Sequence, residues 1–289
     1  MPELPEVETT RRGIVKQLLQ QTITKVIVRN ARLRWPVANT IYQLEGQTIY
    51  KVTRRGKYLI ISVHSVSPST RGHLLIHLGM SGHVRIIPAT LPVNKHEHID
   101  IVLNNGFCLR YTDPRRFGSF IWTVENPLQH TLLAKLGPEP LSASFNTSYL
   151  FDRSRSTQRA IKLFIMDSQI VVGVGNIYAN EALFAAGIHP QIPANELTEK
   201  YYQQLVLSIK QILRAAIAKG GTTLRDFHDS EGKPGYFQQV LQVYGRGGEP
   251  CRKCNTNLSE IRLGQRSTVY CAQCQKVNCD SMPKRDVSF

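Results

Sequence analysis

Apolar residues near the start of the chain recur at helical spacing: Val7, Ile14 and Leu18, with Val15 and Leu19 beside them. That stripe predicts an amphipathic first helix with one buried face. The period then changes. Leu59, Ile61 and Val63 alternate with their neighbours, and Ile101-Val102-Leu103-Asn104-Asn105-Gly106-Phe107-Cys108-Leu109 reads as a hairpin with Asn-Gly at its turn. Short strands and turns continue to Trp122, so residues 22–125 are expected to be mostly β, as a sandwich or barrel of antiparallel strands. Leu136-Gly137-Pro138-Glu139-Pro140, followed by Ser142, Ser144, Asn146, Thr147 and Ser148, is predicted to be a linker. Beyond it the pattern is helical over 157–167, 176–187 and 197–219. In the last of these Leu205, Ile209, Ile212 and Leu213 share a face, and Gly220-Gly221 supplies the stop. Residues 222–237 mix Thr, Asp, Ser, Gly and Pro without periodicity and read as a loop.

A chain of 289 residues suggests two domains with a possible small appendage. Lys and Arg number 36 against 21 Asp and Glu, a net charge of +15 that points to a polyanion, nucleic acid first. No 18-residue apolar run and no signal region is present, so the chain is expected to be cytoplasmic, without a membrane partner. Four of the six cysteines form two pairs: Cys251-x2-Cys254, sixteen residues, then Cys271-x2-Cys274. Each pair makes a knuckle delivering two thiolates, and two knuckles complete a tetrahedron around one zinc ion. Four thiolates leave no open position, so the zinc is structural, and a ribbon this short draws much of its folding energy from it. Cys108 and Cys279 have no partner spacing.

The chain opens Met1-Pro2-Glu3-Leu4-Pro5-Glu6. Removal of Met1 would leave Pro2 with a secondary amine, able to attack an aldehyde-like carbon and form an iminium ion. Glu3 and Glu6 stand within reach for proton transfer or for orienting the amine. The same residues also read as an ordinary capped first turn. Lys57 sits in Arg54-Arg55-Gly56-Lys57-Tyr58 at the start of a β run. Met80 in His77-Leu78-Gly79-Met80-Ser81-Gly82, and Phe117 in Asp113-Pro114-Arg115-Arg116-Phe117-Gly118, place apolar side chains at turns, where they could wedge between stacked bases or simply pack. Gly173-Val174-Gly175-Asn176 opens a helix whose N–H groups suit phosphate, downstream of Arg153, Arg155, Arg159 and Lys162. Arg262 and Arg266 lie between the knuckles, where a hairpin tip could carry one to a phosphate.

Together these segments resemble formamidopyrimidine-DNA glycosylase. The resemblance rests on Pro2-Glu3-Leu4-Pro5-Glu6-Val7-Glu8-Thr9, the segments around Lys57 and Met80, Tyr111 to Gly118, Val172-Gly173-Val174-Gly175-Asn176-Ile177-Tyr178-Ala179, Gly235-Tyr236-Phe237 and the four cysteines, and runs from Met1 to about Lys276. It implies an α+β protein: an N-terminal antiparallel β-sandwich flanked by helices (1–135), a linker (136–148), a helix–two-turn–helix domain (149–245), a zinc-ribbon hairpin (246–276) and a tail (277–289). It implies damaged double-stranded DNA as partner, held between the two main domains, and a monomeric enzyme. Pro2 would be the nucleophile at C1′, Glu3 the acid for sugar ring opening, and Lys57 the residue serving β-elimination. Arg266 would contact a phosphate and serve the second elimination. Met80, Arg115 and Phe117 would fill the hole left by the flipped nucleotide. His96, Asn176 and Lys162 would hold phosphates or the lesion's surroundings, and residues 222–235 would cover the flipped base. Cys251, Cys254, Cys271 and Cys274 would hold the zinc.

Two rivals share parts of this pattern. An endonuclease VIII type enzyme, acting on oxidised pyrimidines, shares Pro2 and Glu3, but Leu4 to Thr9 and the Arg115–Phe117 spacing favour the purine enzyme. A zinc-ribbon DNA binder without catalysis explains the charge and the cysteines, and leaves Pro2, Glu3 and Lys57 without purpose.

Overall fold

The computed structural model describes residues 1–65, 71–222 and 240–276. They form two compact units, the first from Met1 to Lys135 joined by the chain from Ala216 to Thr222, the second from Leu136 to Ala215 joined by the chain after residue 239.

The first unit begins with helix α1 (Leu4–Leu18), whose buried Leu4, Val7, Ile14 and Leu18 are the stripe seen in the sequence. Two four-stranded antiparallel sheets follow. One has the order β1 (Ile23–Val28), β6 (Glu97–Leu103), β7 (Phe107–Thr112), β5 (His83–Pro88). The other has the order β2 (Thr48–Arg55), β3 (Tyr58–His64), β4 (Arg71–His77), β8 (Ser119–Thr123). Their core joins α1 to both sheets through Val7, Ile14, Leu59, Ile61, Leu74, Ile76, Ile99, Leu109 and Phe120. Burying each such side chain contributes about 1.5–3 kcal/mol. The expected hairpin is β6–β7, with Asn104 to Gly106 between strands that pair Val102 with Cys108. Strand β3 departs from simple alternation. Its opposite face is also covered, with Ile60 paired to Leu75 and both buried.

The second unit is helical. Helix α2 (Thr147–Ser154) is capped by Asn146, whose side chain accepts the Tyr149 N–H at 2.9 Å. Helix α3 (Ile161–Ile165), helix α4 (Asn176–Ala186) and helix α5 (Glu199–Ala218) follow, and α5 runs on into the first unit's share of the chain. Strands β9 (Ser259–Leu263) and β10 (Arg266–Tyr270) form a hairpin, with Gln265 in the left-handed region at φ 59°.

Two expectations are corrected. Residues 136–148 are not a slack linker: the Gly137 N–H donates to the Ser168 carbonyl at 2.8 Å, Phe145 is buried, and α2 starts at Thr147. The helix expected over 157–167 is one short turn, because the Ile161 N–H donates to the Ile192 carbonyl and Ala160 bridges to Pro193. No described helix is long and apolar enough to cross a membrane.

Candidate active site

Pro2 and Glu3 are buried at the start of α1, with Glu3 as its N-cap residue. Glu6 holds this turn. Its Oε2 accepts the Glu3 N–H at 2.8 Å, as in a capping box, while its Oε1 accepts both the N–H and the hydroxyl of Thr222 at 2.9 Å. Glu8 accepts hydrogen bonds from Arg11, Arg12 and Arg54. Burial alone would raise its carboxyl, but the Arg11 and Arg12 hydrogen bonds and the charges of Arg11 and Arg54 prevail and bring it down to about 2. Arg54 also donates to the Gly56 carbonyl at 2.9 Å. The turn between β2 and β3, which carries Lys57 half-buried at its tip, is thereby fixed to α1.

Tyr58 pairs with His77 across β3 and β4, their rings 4.8 Å apart. The His77 Nδ1 accepts the Gly79 N–H at 3.0 Å. Burial, followed by the charges of Lys57 and Arg34 and against the pull of Asp113, pushes this imidazole down to about 4, so it is neutral at pH 7.

Met80 is half-buried at the tip of one loop, and Arg115 and Phe117 are exposed on another. The Arg115 guanidinium carbon lies 4.9 Å from the centre of the Phe117 ring, which is 44% exposed. His96 is half-buried in left-handed backbone at φ 71°, and its carbonyl accepts the Asp113 N–H at 3.0 Å. The buried Asp113 carboxylate accepts from the Ser81 hydroxyl at 2.7 Å, the Tyr111 hydroxyl at 2.8 Å and the Gly118 N–H at 2.9 Å.

In the second unit Gly175 caps α4 and Asn176 is its first residue. The Asn176 amide donates to the Ser267 carbonyl at 3.1 Å, and the Asn180 side chain accepts the Val269 N–H at 2.9 Å, so α4 holds β10. Arg266, the first residue of that strand, is exposed. Glu181 accepts the N–H groups of Gln242, Val243 and Tyr244, each at 2.9 Å. Lys162 is expected to hold phosphates or the lesion's surroundings. It is fully buried, and its ammonium donates to the Ser267 carbonyl at 3.0 Å and the Thr268 hydroxyl at 2.6 Å. Its charge is used inside the hairpin that presents Arg266.

The Sγ atoms of Cys251, Cys254, Cys271 and Cys274 all lie within 4.8 Å of one another, with separations of 3.4 Å, 3.5 Å and 3.9 Å among them. A tetrahedron of Zn–S bonds of about 2.3 Å sets its sulfurs about 3.8 Å apart. The donor set fits one zinc ion and closes its coordination. Cys251 and Cys271 are buried against Phe184 of α4 with Leu258 and Val269, so the metal would fix the ribbon to that helix.

The sequence singled out Pro2, Glu3 and Glu6 in the first turn, but it gave no role to Glu8, His77, Asp113 and Glu181, which hold neighbouring segments in place. The capping-box spacing of Glu3 and Glu6 was a usable signal. Residues 223–235 of the expected lesion-covering loop, Gly235-Tyr236-Phe237, Cys279 and the tail lie outside the described residues.

Family models match in three consecutive segments: the formamidopyrimidine-DNA glycosylase N-terminal domain over residues 1–120, its H2TH domain over 136–228, and the zinc finger found in FPG and IleRS over 248–277. The chain belongs to the formamidopyrimidine-DNA glycosylase family. Its relatives include the formamidopyrimidine-DNA glycosylases of Photobacterium profundum, 54% identical over 96% of this chain and 100% of that one, and of Shewanella halifaxensis, 56% identical with the same coverage. Among solved structures it is similar to the MutM (FPG) protein of Thermus thermophilus, with a TM-score of 0.84, 38% identity and coverage of 95% of this chain and 98% of that one. It is also similar to a Lactococcus lactis FPG mutant in complex with a Fapy-dG containing DNA, with a TM-score of 0.87, 34% identity and coverage of 95% and 100%. Like the rest of the family, the chain is a DNA glycosylase and AP lyase of base excision repair, with one structural zinc.

Proposed function

We propose that this chain, acting as a monomer in the cytoplasm, excises 8-oxoguanine and formamidopyrimidines from duplex DNA and then cuts the strand. With Met1 removed, the neutral Pro2 amine attacks C1′. The bond from C1′ to the base breaks, and its electron pair leaves with the purine, which takes up a proton. Glu3 protonates the sugar ring oxygen, the ring opens, and an iminium ion joins Pro2 to C1′. The iminium draws electrons from C2′, so loss of a proton there, served by Lys57, expels the 3′ phosphate. Arg266 holds the phosphate and serves the second elimination, which expels the 5′ phosphate. Water then hydrolyses the iminium and frees Pro2. Met80, Arg115 and Phe117 replace the stack lost when the nucleotide is everted, a cost of a few kcal/mol. His96 and Asn176 face the DNA backbone, and Lys162 acts as a strut behind Arg266.

The observation that carries this reading is the first turn of α1. Two carboxylates, Glu3 and Glu6, are buried there beside Pro2, and Glu6 holds the Glu3 backbone at 2.8 Å. Carboxylates are rarely buried without a task or a partner. The test is borohydride trapping on an oligonucleotide carrying 8-oxoguanine opposite cytosine. The mature protein gives a covalent adduct, and a protein with its N-terminal amine blocked by an extension gives none while still binding the DNA. An undiminished adduct from the blocked protein would move the nucleophile elsewhere. A mature protein that excises the lesion and never traps would show that no covalent intermediate forms on its N-terminal amine.

A further inference from the structure

We infer that Asp113 is a positioning residue for base eversion: one buried carboxylate sets the loops that carry Met80, Arg115, Phe117 and His96. This rests on the reading of Met80, Arg115 and Phe117 as the wedge, and goes beyond it by saying what holds the wedge in place.

The donors to Asp113 come from both loops and from the strand between them. Ser81, next to Met80, donates to Oδ1 at 2.7 Å, and its hydroxyl oxygen accepts the Arg115 N–H at 3.2 Å. Gly118, next to Phe117, donates its N–H to Oδ2 at 2.9 Å, and the Tyr111 hydroxyl donates to the same oxygen at 2.8 Å. The Asp113 backbone extends the network. Its N–H donates to the His96 carbonyl at 3.0 Å, and its own carbonyl engages the His98 imidazole at 2.8 Å and accepts the Arg116 N–H at 3.2 Å. Every one of the four DNA-facing side chains is therefore on, or next to, a residue bonded to Asp113 or to Ser81.

The loops also interlock sterically. A Cβ on Gly118 would lie 1.8 Å from the Tyr111 hydroxyl oxygen, and one on Gly79 would lie 2.5 Å from the Phe117 carbonyl carbon, with Gly79 itself at φ 69°. No side chain fits at either position, so the backbone of one loop lies directly against the other. A carboxylate with three well-made hydrogen bonds and no solvent contact is rigid, and a wedge must be rigid to exchange base stacking for side-chain stacking. Nothing in the chemistry at C1′ calls on Asp113, and that separates its role from that of Pro2, Glu3 or Lys57.

The role predicts a defect confined to eversion. Two single-turnover rates are compared on the full-length zinc-bound protein: excision of 8-oxoguanine opposite cytosine, with 2-aminopurine beside the lesion reporting eversion, and strand cleavage at a preformed abasic site, which has no base to unstack. Ser81→Ala and Tyr111→Phe each remove one donor and leave the carboxylate in place. Each is expected to slow eversion and excision about tenfold and to leave abasic-site cleavage within about twofold of wild type. Asp113→Asn sets an amide N–H against the donors and is expected to slow eversion further. Phe117→Ala serves as the reference for the wedge itself. Slowed eversion in Phe117→Ala with wild-type rates in Ser81→Ala and Tyr111→Phe would overturn the role of Asp113 and leave the wedge reading standing. Unchanged eversion in Phe117→Ala would overturn both. Parallel losses of eversion and abasic-site cleavage in Ser81→Ala and Tyr111→Phe would mark a general folding or binding defect, and would also overturn it.

Discussion

Arg115 and Phe117 sit two residues apart on one exposed turn, cation over ring at 4.9 Å. On the proposed reading, that stack sets the guanidinium beside the wedge, where the partner of an everted base is left with unpaired edge atoms. Cytosine offers two adjacent acceptors, O2 and N3, to the forked donors of an arginine, whereas adenine sets an amino donor beside its acceptor. The mismatch costs on the order of 1–3 kcal/mol, a factor of about ten or more in rate. Wild type should therefore excise 8-oxoguanine faster opposite cytosine than opposite adenine, and Arg115→Ala should lose most of that gap in single-turnover assays. An unchanged ratio would assign the reading to another residue. His77 gives a second test at this scale. Its folded value is depressed to about 4 from an ordinary 6.5, chiefly by burial and then by Lys57 and Arg34. The unfolded chain thus binds more protons between about pH 6.5 and 4, so the stability this residue contributes is present above 6.5 and is lost as pH falls through that window. An NMR titration should place the imidazole near pH 4, and His77→Gln should flatten the fall of Tm over that range. A midpoint near 6.5 would refute the burial argument. Candidate residues such as Pro2, Glu3 and Lys57 were legible because each stands in a distinctive local string. Their holders were not, because a hydrogen bond such as Glu6 to Thr222 spans 216 positions, and Asp113 to Ser81 spans 32. Local pattern contains no trace of such a partner.

The zinc hairpin is the element least able to stand alone. Among the described residues its apolar core is small: Val243, Leu258, Val269, Cys251 and Cys271 around Phe184 of α4, with Cys274 packed against them. Helix α4 adds hydrogen bonds through Asn176, Asn180 and Glu181, and α3 adds those of Lys162 to Ser267 and Thr268. Burial raises the Glu181 carboxyl against the lowering effect of three backbone N–H bonds. With so little buried surface, metal binding is folding energy. Cys251→Ser should release the zinc, disorder strands β9 and β10 and weaken DNA binding through Arg266, while the β-sandwich keeps its own melting transition. Strands β9 and β10 still ordered after the zinc is lost would show the ribbon to be held by its protein contacts alone. Metal content unchanged at one zinc per chain would remove Cys251 from the ligand set. Loss of the whole protein in one transition would show that the sandwich does not fold independently of the ribbon. Elements with a short, strong signal were legible: α1 by its stripe, β6–β7 by Asn-Gly, α5 by its face and the closing glycines. The misread elements share a physical cause. Helix α2 begins inside a polar stretch, and its announcing cap was a single Asn146. Helix α3 is cut short because residue 161 spends its N–H on Ile192, a tertiary bond that overrides an apolar run. Strand β3 buries both faces because packing on its far side is a property of the fold rather than of its period.

At the scale of the whole molecule, +15 is a sum in which cations of different standing count equally. Arg110 is buried between Asp100 and Glu97, and Lys162 is buried in the hairpin. Arg29 is bound to Asp100 at 2.6 Å and donates to the Glu97 carbonyl at 2.9 Å. These charges are neutralised or enclosed within the fold. Arg266 and Arg262 are exposed on the hairpin instead. Only a cation that displaces counterions from a phosphate enters the salt dependence of binding, at roughly 0.9 per phosphate in the slope of log K against log salt. Binding to undamaged duplex should therefore weaken linearly on that plot, with a slope well below the one that +15 contacts would give. Arg266→Ala and Arg29→Gln lower the net charge by the same single unit, so a diffuse field would change both slopes alike. If contacts decide, Arg266→Ala should reduce the slope by about 0.9 and Arg29→Gln should leave it unchanged. Equal reductions would show that the summed charge, and not the placement of each cation, governs how this protein holds DNA.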